Sequence, residues 1–269
     1  MVTTIGMLDS GVGGLTILRA IREQLPGQPV VYLADQAHVP YGVRKIEEVR
    51  GFTKEITRFL LAQGAKIIVV ACNTASVAAL GYLRAEFPET PFVGMEPAVK
   101  PAAEQTKTGV VGVLATYATF QTDVYNSVVE RFAKNVTILQ NHCPGLVNQI
   151  EKGDLSGSET RRILESALRP MLAQGIDTVV LGCTHYPFVI PLIQEIVGPG
   201  VRVIDPAPAI ARQTQRLMTE KGWLADGIIG SEIRLITTGN AQNIENNLPL
   251  YLGYHLPIAS IQWQDGKLG

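Results

Sequence analysis

The stretch VVACNTAS, residues 69–76, decides the fold, because it leads an apolar strand directly into a helix through a polar turn. The strand is KIIVVA, residues 66–71, and Cys72 follows it at once. VVLGCTHY, residues 179–186, repeats the arrangement around Cys183. One such turn has little meaning alone, but two of them indicate a pair of thiols that work together.

Short apolar runs alternate with amphipathic runs along the chain, which is typical of strands alternating with helices. We predict strands over 5–9, 30–34, 66–71, 91–95, 109–115, 136–140, 177–182, 201–205, 233–239 and 259–263. We predict helices over 15–25, 46–64, 119–132, 159–175, 208–221 and 240–253, with a further one after Cys72. This alternation predicts βαβ units and parallel sheets, and therefore an α/β fold.

An internal repeat divides the chain into two similar halves. GMLDS at 6–10 aligns with GVLAT at 112–116, and Cys72 aligns with Cys183. VGMEPAV, which begins at residue 93, resembles VIDPAPAI, which begins at residue 203. The three matches keep the same order and offsets of 106 to 111 residues, so the halves are expected to share one fold.

The repeat predicts two pseudo-symmetric α/β domains. The first domain takes 1–97 plus 208–269 and the second takes 98–207. Ligands of open parallel sheets bind at the carboxyl ends of the strands. Facing halves would bring Cys72 and Cys183 to opposite walls of one cleft, where we expect the active site.

The composition excludes several other classes of protein. Hydrophobic residues make up 46% of the 269 residues. The 23 basic and 24 acidic residues nearly balance and form no basic patch, which disfavours nucleic acid as the main ligand. No apolar run is long enough for a membrane span, and no signal peptide is recognisable. The three cysteines suit a reducing cytoplasm, and none has the spacing of zinc ligands, so we expect no metal.

Two matched thiols allow three kinds of chemistry. They could form a redox disulfide, or Cys183 could be a hydrolytic nucleophile with His185 as its base. They could also act as two bases on opposite faces of one carbon, which fits two cysteines from pseudo-symmetric halves better, since a hydrolase needs only one thiol. Against all three stands the possibility that each cysteine is a small buried side chain without chemistry.

The first strand ends in LDSGVGG, residues 8–14, where Asp9 and Ser10 precede a glycine-rich turn. Backbone N–H groups of such a turn suit an anion such as a carboxylate, although tight packing of the next helix explains the glycines equally well. A dinucleotide site is disfavoured, because Thr16 stands where the third glycine of that fingerprint belongs.

Three further turns offer polar groups, each with a structural alternative. Tyr41 and Gly42 could present a phenol and an amide to a ligand, or form a simple turn. Thr116 could bind a carboxylate or cap the next helix. Glu151 could bind an amine or be a solvated helix residue.

The chain resembles the glutamate racemases of the aspartate/glutamate racemase superfamily in a series of motifs that occur in the same order. These motifs are DSGVGG, the PYG turn, ACNTAS, the EP pair, the TxxT turn, GCTHYP and the late TTG. The resemblance covers residues from about 5 to about 252. It implies interconversion of L- and D-glutamate without a cofactor, D-glutamate being supplied to peptidoglycan, and a homodimer.

The resemblance also implies a role for each site residue. Cys72 and Cys183 would exchange protons with the substrate, while Asp9 and His185 assist them. The residues that it implies for binding substrate are Asp9, Ser10, Tyr41, Gly42, Asn73, Thr74, Thr116, Glu151, Thr184 and His185.

Two other functions stay open at this point. One is a racemase of another amino acid such as aspartate, which a substrate panel distinguishes. The other is a two-lobed binding or thiol-redox protein, which would bind ligand without turnover or form a disulfide between Cys72 and Cys183.

Overall fold

The computed structural model describes residues 3–96, 98–225 and 232–269. The chain forms two compact units, one of Met1–Met95 with Ala207–Gly269 and the other of Glu96–Pro206. Pro97, the last residue of the first predicted segment, lies outside the described residues.

The strands are short and, in the middle of each sheet, buried on both faces. Their bounds are β1 (Thr4–Asp9), β2 (Val30–Ala34), β3 (Ala65–Val70), β4 (Phe92–Gly94), β5 (Val110–Ala115), β6 (Thr137–Asn141), β7 (Thr178–Gly182), β8 (Arg202–Ile204), β9 (Ile233–Thr237), β10 (Ile258–Ser260), β11 (Trp263–Gln264) and β12 (Lys267–Leu268). The central strands β1, β3 and β7 read as continuous apolar runs because helices cover both faces of a parallel sheet.

The helices follow the strands in alternation. Their bounds are α1 (Leu15–Gln24), α2 (Ile46–Ala62), α3 (Asn73–Glu86), α4 (Val99–Gln105), α5 (Tyr117–Phe120), α6 (Asp123–Phe132), α7 (Leu146–Glu151), α8 (Ser158–Leu172), α9 (Ile190–Val197), α10 (Ala207–Glu220) and α11 (Ala241–Leu252), with 3₁₀ turns at Tyr41–Val43 and Tyr186–Val189. None of the described helices is long and apolar enough to cross a membrane.

Each unit is built on a parallel sheet. In the described residues the first unit has the strand order β10-β9-β2-β1-β3-β4 and the second has β6-β5-β7-β8. All strand pairs in these two sheets are parallel. The order β2-β1-β3-β4 recurs as β6-β5-β7-β8, so the internal repeat is a repeat of topology, and the predicted α/β fold with parallel sheets in two domains is confirmed.

Two predicted elements differ from the structure. The helix predicted over 119–132 is interrupted, because the Thr122 hydroxyl accepts a hydrogen bond from the Tyr125 amide at 3.3 Å and so begins a new helix. The strand predicted over 259–263 ends at Ser260, and Trp263 instead begins an antiparallel hairpin.

Candidate active site

In the first unit, the carboxyl ends of β1 and β3 bring polar residues together. The two strands are neighbours in the sheet, so Asp9 and Ser10, after β1, lie beside Cys72, after β3. The Cys72 Sγ lies 3.9 Å from the Ser10 Oγ. All three side chains are buried, as expected of a preorganised site rather than of an exposed turn.

Cys72 caps the N-terminus of α3. Its sulfur accepts a hydrogen bond from the Ala75 amide at 3.5 Å, and its backbone is extended, as an N-cap requires. The free N–H groups of a helix N-terminus stabilise negative charge nearby. The turn can therefore stabilise negative charge when it forms on this sulfur.

The glycine-rich turn after β1 serves close packing. A Cβ on Gly14 would lie 2.7 Å from the Asp9 Cβ and 2.8 Å from the Tyr32 hydroxyl oxygen, so only glycine fits there. The Gly11 amide donates to the Asp9 carboxylate at 2.9 Å. One N–H group of the turn is thus used to orient Asp9.

Asn73 has the most informative side chain of this edge. Its side chain is buried, and neither atom of its amide has a hydrogen-bond partner among the described residues. Burying an amide without partners is costly, so such a group indicates a ligand. Thr74, next to it, is buried as well.

Tyr41 and Gly42 form a buried 3₁₀ turn after β2. The Tyr41 hydroxyl donates to the Asp35 carboxylate at 2.7 Å. Burial raises the pKa of Tyr41 well above its usual range, and the negative charges of Asp35, Cys72 and Asp9 raise that pKa further. Tyr41 therefore stays a neutral phenol close to both Asp9 and Cys72.

The second unit places its polar residues at the matching edge. Thr116 follows β5, Cys183 follows β7, and these strands are neighbours as β1 and β3 are. Cys183, Thr184 and His185 are all buried. The two predicted thiol turns are thus equivalent in topology.

Cys183 belongs to a chain of three polar side chains. The His185 Nδ1 lies 3.8 Å from the Cys183 Sγ, and the His185 Nε2 lies 2.5 Å from the Glu151 Oε1. Burial lowers the pKa of His185, but hydrogen bonding to Cys183 and Glu151 and the charges of both outweigh it and raise the pKa well above 6.5. A protonated imidazole is therefore favoured beside the sulfur.

At this edge Thr116 caps a helix, and Cys143 is a further buried thiol. The Thr116 hydroxyl caps the short helix α5 by accepting from the Thr119 amide at 3.3 Å. Cys143 is buried, and burial together with the charge of Cys183 raises its pKa to about 12. Its thiol thus stays protonated, unlike a nucleophile or base.

Asp35 is a buried residue of this region whose structural role was not predicted from the sequence. It is fully buried and accepts hydrogen bonds from Tyr41, Thr238 and Trp263. Its position at the end of β2, beside Asp9 at the end of β1, was the available signal.

Three comparisons with known proteins agree. A family model described as Asp/Glu/Hydantoin racemase matches residues 6–214. The glutamate racemase of Pseudomonas aeruginosa is 48% identical over 249 residues, which cover 93% of this chain and 94% of that protein.

Solved structures give the same result. Glutamate racemase isoform RacE1 of Bacillus anthracis matches with a TM-score of 0.86 and 33% identity, covering 98% of both chains. Glutamate racemase of Escherichia coli, solved with L-glutamate and the activator UDP-MurNAc-ala, matches with a TM-score of 0.85 and 31% identity over 97% of this chain and 98% of that one.

A doubled α/β fold with a buried thiol at the matching turn of each unit defines an amino-acid racemase, which is an isomerase. The chain belongs to the Asp/Glu/hydantoin racemase family. The resemblance to the glutamate racemases is thereby confirmed.

Proposed function

We propose that the protein interconverts L- and D-glutamate by two-base proton transfer through Cys72 and Cys183. The observation that carries the proposal is the equivalence of the two thiols, each buried at the end of a matching strand. Glutamate is favoured as substrate because relatives that are 47–48% identical to this chain are glutamate racemases.

The proton transfer is written with L-glutamate as substrate. The Cys183 thiolate removes the α-proton, which breaks the C–H bond and leaves its electron pair on carbon. The Cys72 thiol then donates its proton to the opposite face and becomes a thiolate, so D-glutamate forms. The reverse reaction starts from the Cys72 thiolate, and Asp9 and His185 assist proton movement at the two sulfurs.

Asp9 and the remaining polar residues of the two edges would bind the substrate. The Tyr41 hydroxyl donates a hydrogen bond to Asp35, so its oxygen can accept a hydrogen bond from the substrate ammonium group. The Asn73 amide would gain the partners that it lacks among the described residues. We assign the same role to Ser10, Gly42, Thr74, Thr116, Glu151, Thr184 and His185.

The carbanion needs strong stabilisation, because an amino-acid α-proton is far less acidic than a thiol. Preorganised N–H and O–H donors in a buried site supply such stabilisation. We propose that the reaction needs no cofactor. We further propose that the enzyme acts as a cytoplasmic homodimer and supplies D-glutamate for peptidoglycan.

The test is racemisation of L-glutamate in D₂O, followed by optical rotation and by α-deuterium in each enantiomer. A two-base mechanism predicts α-deuterium in newly formed D-glutamate before it appears in the remaining L-glutamate. The reason is that the thiol that donates the new α-hydrogen has already exchanged its proton with D₂O. Cys72→Ser and Cys183→Ser should each lose racemisation by at least about 100-fold, the usual contribution of an acid–base group.

Cys143→Ser is the matched control, since Cys143 is a buried cysteine to which we assign no proton transfer. Turnover of aspartate but not glutamate would keep the two-base mechanism and change the substrate. Absence of α-proton exchange with any amino acid would overturn the proposal.

A further inference from the structure

Asp35 gathers donors from three distant parts of the first unit. Its Oδ2 accepts from the Tyr41 hydroxyl at 2.7 Å and lies 2.9 Å from the His38 Nδ1. Its Oδ1 accepts from the Thr238 hydroxyl at 2.8 Å and from the Trp263 Nε1–H at 2.7 Å. Both oxygens of one buried carboxylate are thus fixed, so the carboxylate has a single orientation.

Trp263 is presented by the C-terminal hairpin, which consists of β11 and β12. The turn of the hairpin is Asp265–Gly266, and both residues have positive φ, 49° and 75°, as a two-residue type I′ turn requires. The Trp263 ring also lies edge-on to His38, with ring centroids 5.1 Å apart. The hairpin is therefore tied to the Asp35 carboxylate.

The two oxygens connect the hairpin to the proposed substrate site. A carboxylate turns as a rigid plane about its Cβ–Cγ bond, so fixing Oδ1 also fixes the direction of Oδ2. The Trp263 indole N–H donates to Oδ1, and the Tyr41 hydroxyl donates to Oδ2. Loss of the indole N–H would remove one of the bonds to Oδ1, leave the Thr238 hydroxyl there, and so loosen the acceptor that orients the Tyr41 hydroxyl.

We propose that Trp263 is a positioning residue for the glutamate site, because its N–H fixes the Asp35 carboxylate that orients Tyr41. This inference rests on the proposed function, in which Tyr41 contacts substrate. Trp263 is only partly buried: it packs against the apolar core of the first unit and borders a surface cleft of about 470 Å³.

The experiment is Trp263→Phe, which keeps an aromatic ring and removes the N–H donor. Trp223→Phe is the matched control, because Trp223 belongs to the same unit and both hydrogen bonds described for it use its backbone: its carbonyl accepts from the Gln28 side chain and its amide donates to the Met218 carbonyl. A binding contact acts in both ground and transition states, so its loss raises KM. We expect KM for L-glutamate to rise about fivefold in Trp263→Phe, which is the effect of one hydrogen bond, and kcat to change by less than about twofold.

A double-mutant cycle with Tyr41→Phe separates positioning from a general structural effect. If Trp263 acts through Tyr41, the Trp263→Phe change should raise KM by less than about twofold in the Tyr41→Phe background. Thr238→Val, which removes the hydroxyl donor to Oδ1, should give the same KM-selective change.

Two results would overturn the proposal: equal KM values in Trp263→Phe and Trp223→Phe, or the same rise in KM with and without Tyr41→Phe. Failure of the wild type to racemise glutamate would instead reject the proposed function. The coupling of Trp263 to Tyr41 is then tested by the free energies of unfolding of the wild type, Trp263→Phe, Tyr41→Phe and the double variant. The two losses must be non-additive if Asp35 joins Trp263 to Tyr41.

Discussion

Cys183 and Glu151 both raise the pKa of the His185 imidazole that lies between them. The Glu151 carboxylate lies 2.5 Å from the His185 Nε2, and it helps to raise the pKa of His185 well above 6.5. A raised histidine pKa contributes stability that is complete below about pH 6.5 and is lost as the pH rises through the folded-state pKa. Glu151→Gln should therefore lower the pKa of His185 and reduce stability mainly in the acidic part of this range.

The expected loss is about 1.5–3 kcal/mol below pH 6.5, the usual value of a hydrogen bond to a charged group, and it should shrink at higher pH. The loss can be measured by urea unfolding at a series of pH values chosen between 5.5 and 9. The imidazole NMR signals give the pKa of His185 directly. Glu159→Gln, which breaks an exposed ion pair with Arg162 in the same unit, should change unfolding little at any pH. A pH-independent loss in Glu151→Gln would contradict this account of His185.

At the scale of elements, Gly182 sets the distance between β7 and β5 just before Cys183. It pairs with Ala115, and a Cβ on Gly182 would lie 2.8 Å from the Ala115 Cβ and 3.2 Å from the Leu114 carbonyl oxygen. Gly182→Ala must therefore push the two strands apart. We expect a loss of about 1–3 kcal/mol in the free energy of unfolding, together with lower kcat, because the strand end that carries Cys183 moves.

The control for Gly182→Ala is Gly200→Ala in the same unit, since an added Cβ there meets no atom within 4 Å. Urea unfolding and steady-state kinetics should leave Gly200→Ala close to the wild type. Equal stability of the two variants would mean that β5 and β7 absorb the extra methyl group without moving.

The sequence predicts elements well where the signal is local. Cys72 and Cys183 could be placed at strand ends because each directly follows an apolar run that is visible within one short stretch. The break at Thr122 was missed because a side-chain cap competes with a helical pattern that continues across it. The hairpin was missed although Asp265–Gly266 is a strong turn signal, since its strands have only two residues each.

The Asp35 cluster could not be predicted from the sequence for a different reason. Tyr41, Thr238 and Trp263 are far apart along the chain and meet only because β9 pairs with β2 and the hairpin packs on the same unit. Sheet order of this kind depends on long-range pairing, which no local pattern encodes. Polar networks assembled across a fold are therefore found only in the structure.

At the scale of the whole molecule, the two thiols are equivalent but their neighbours are not. Cys72 lies near Ser10, whereas Cys183 has His185 and Glu151. Unequal neighbours allow kcat and KM to differ between the L-to-D and D-to-L directions. They leave the equilibrium unchanged, because enantiomers have equal free energy in water.

This constraint gives a prediction for variants of either unit. Since the equilibrium constant is one, kcat/KM must be equal in the two directions for the wild type, for His185→Asn and for Asp9→Asn. We expect each variant to lose about 10²-fold or more in kcat/KM, as for removal of an acid–base group, and to lose it equally for L- and D-glutamate. Progress curves followed by circular dichroism from each enantiomer measure both values. A ratio that departs from one beyond error would mean that the product is not simply the mirror image of the substrate, and the two-base mechanism would fail with it.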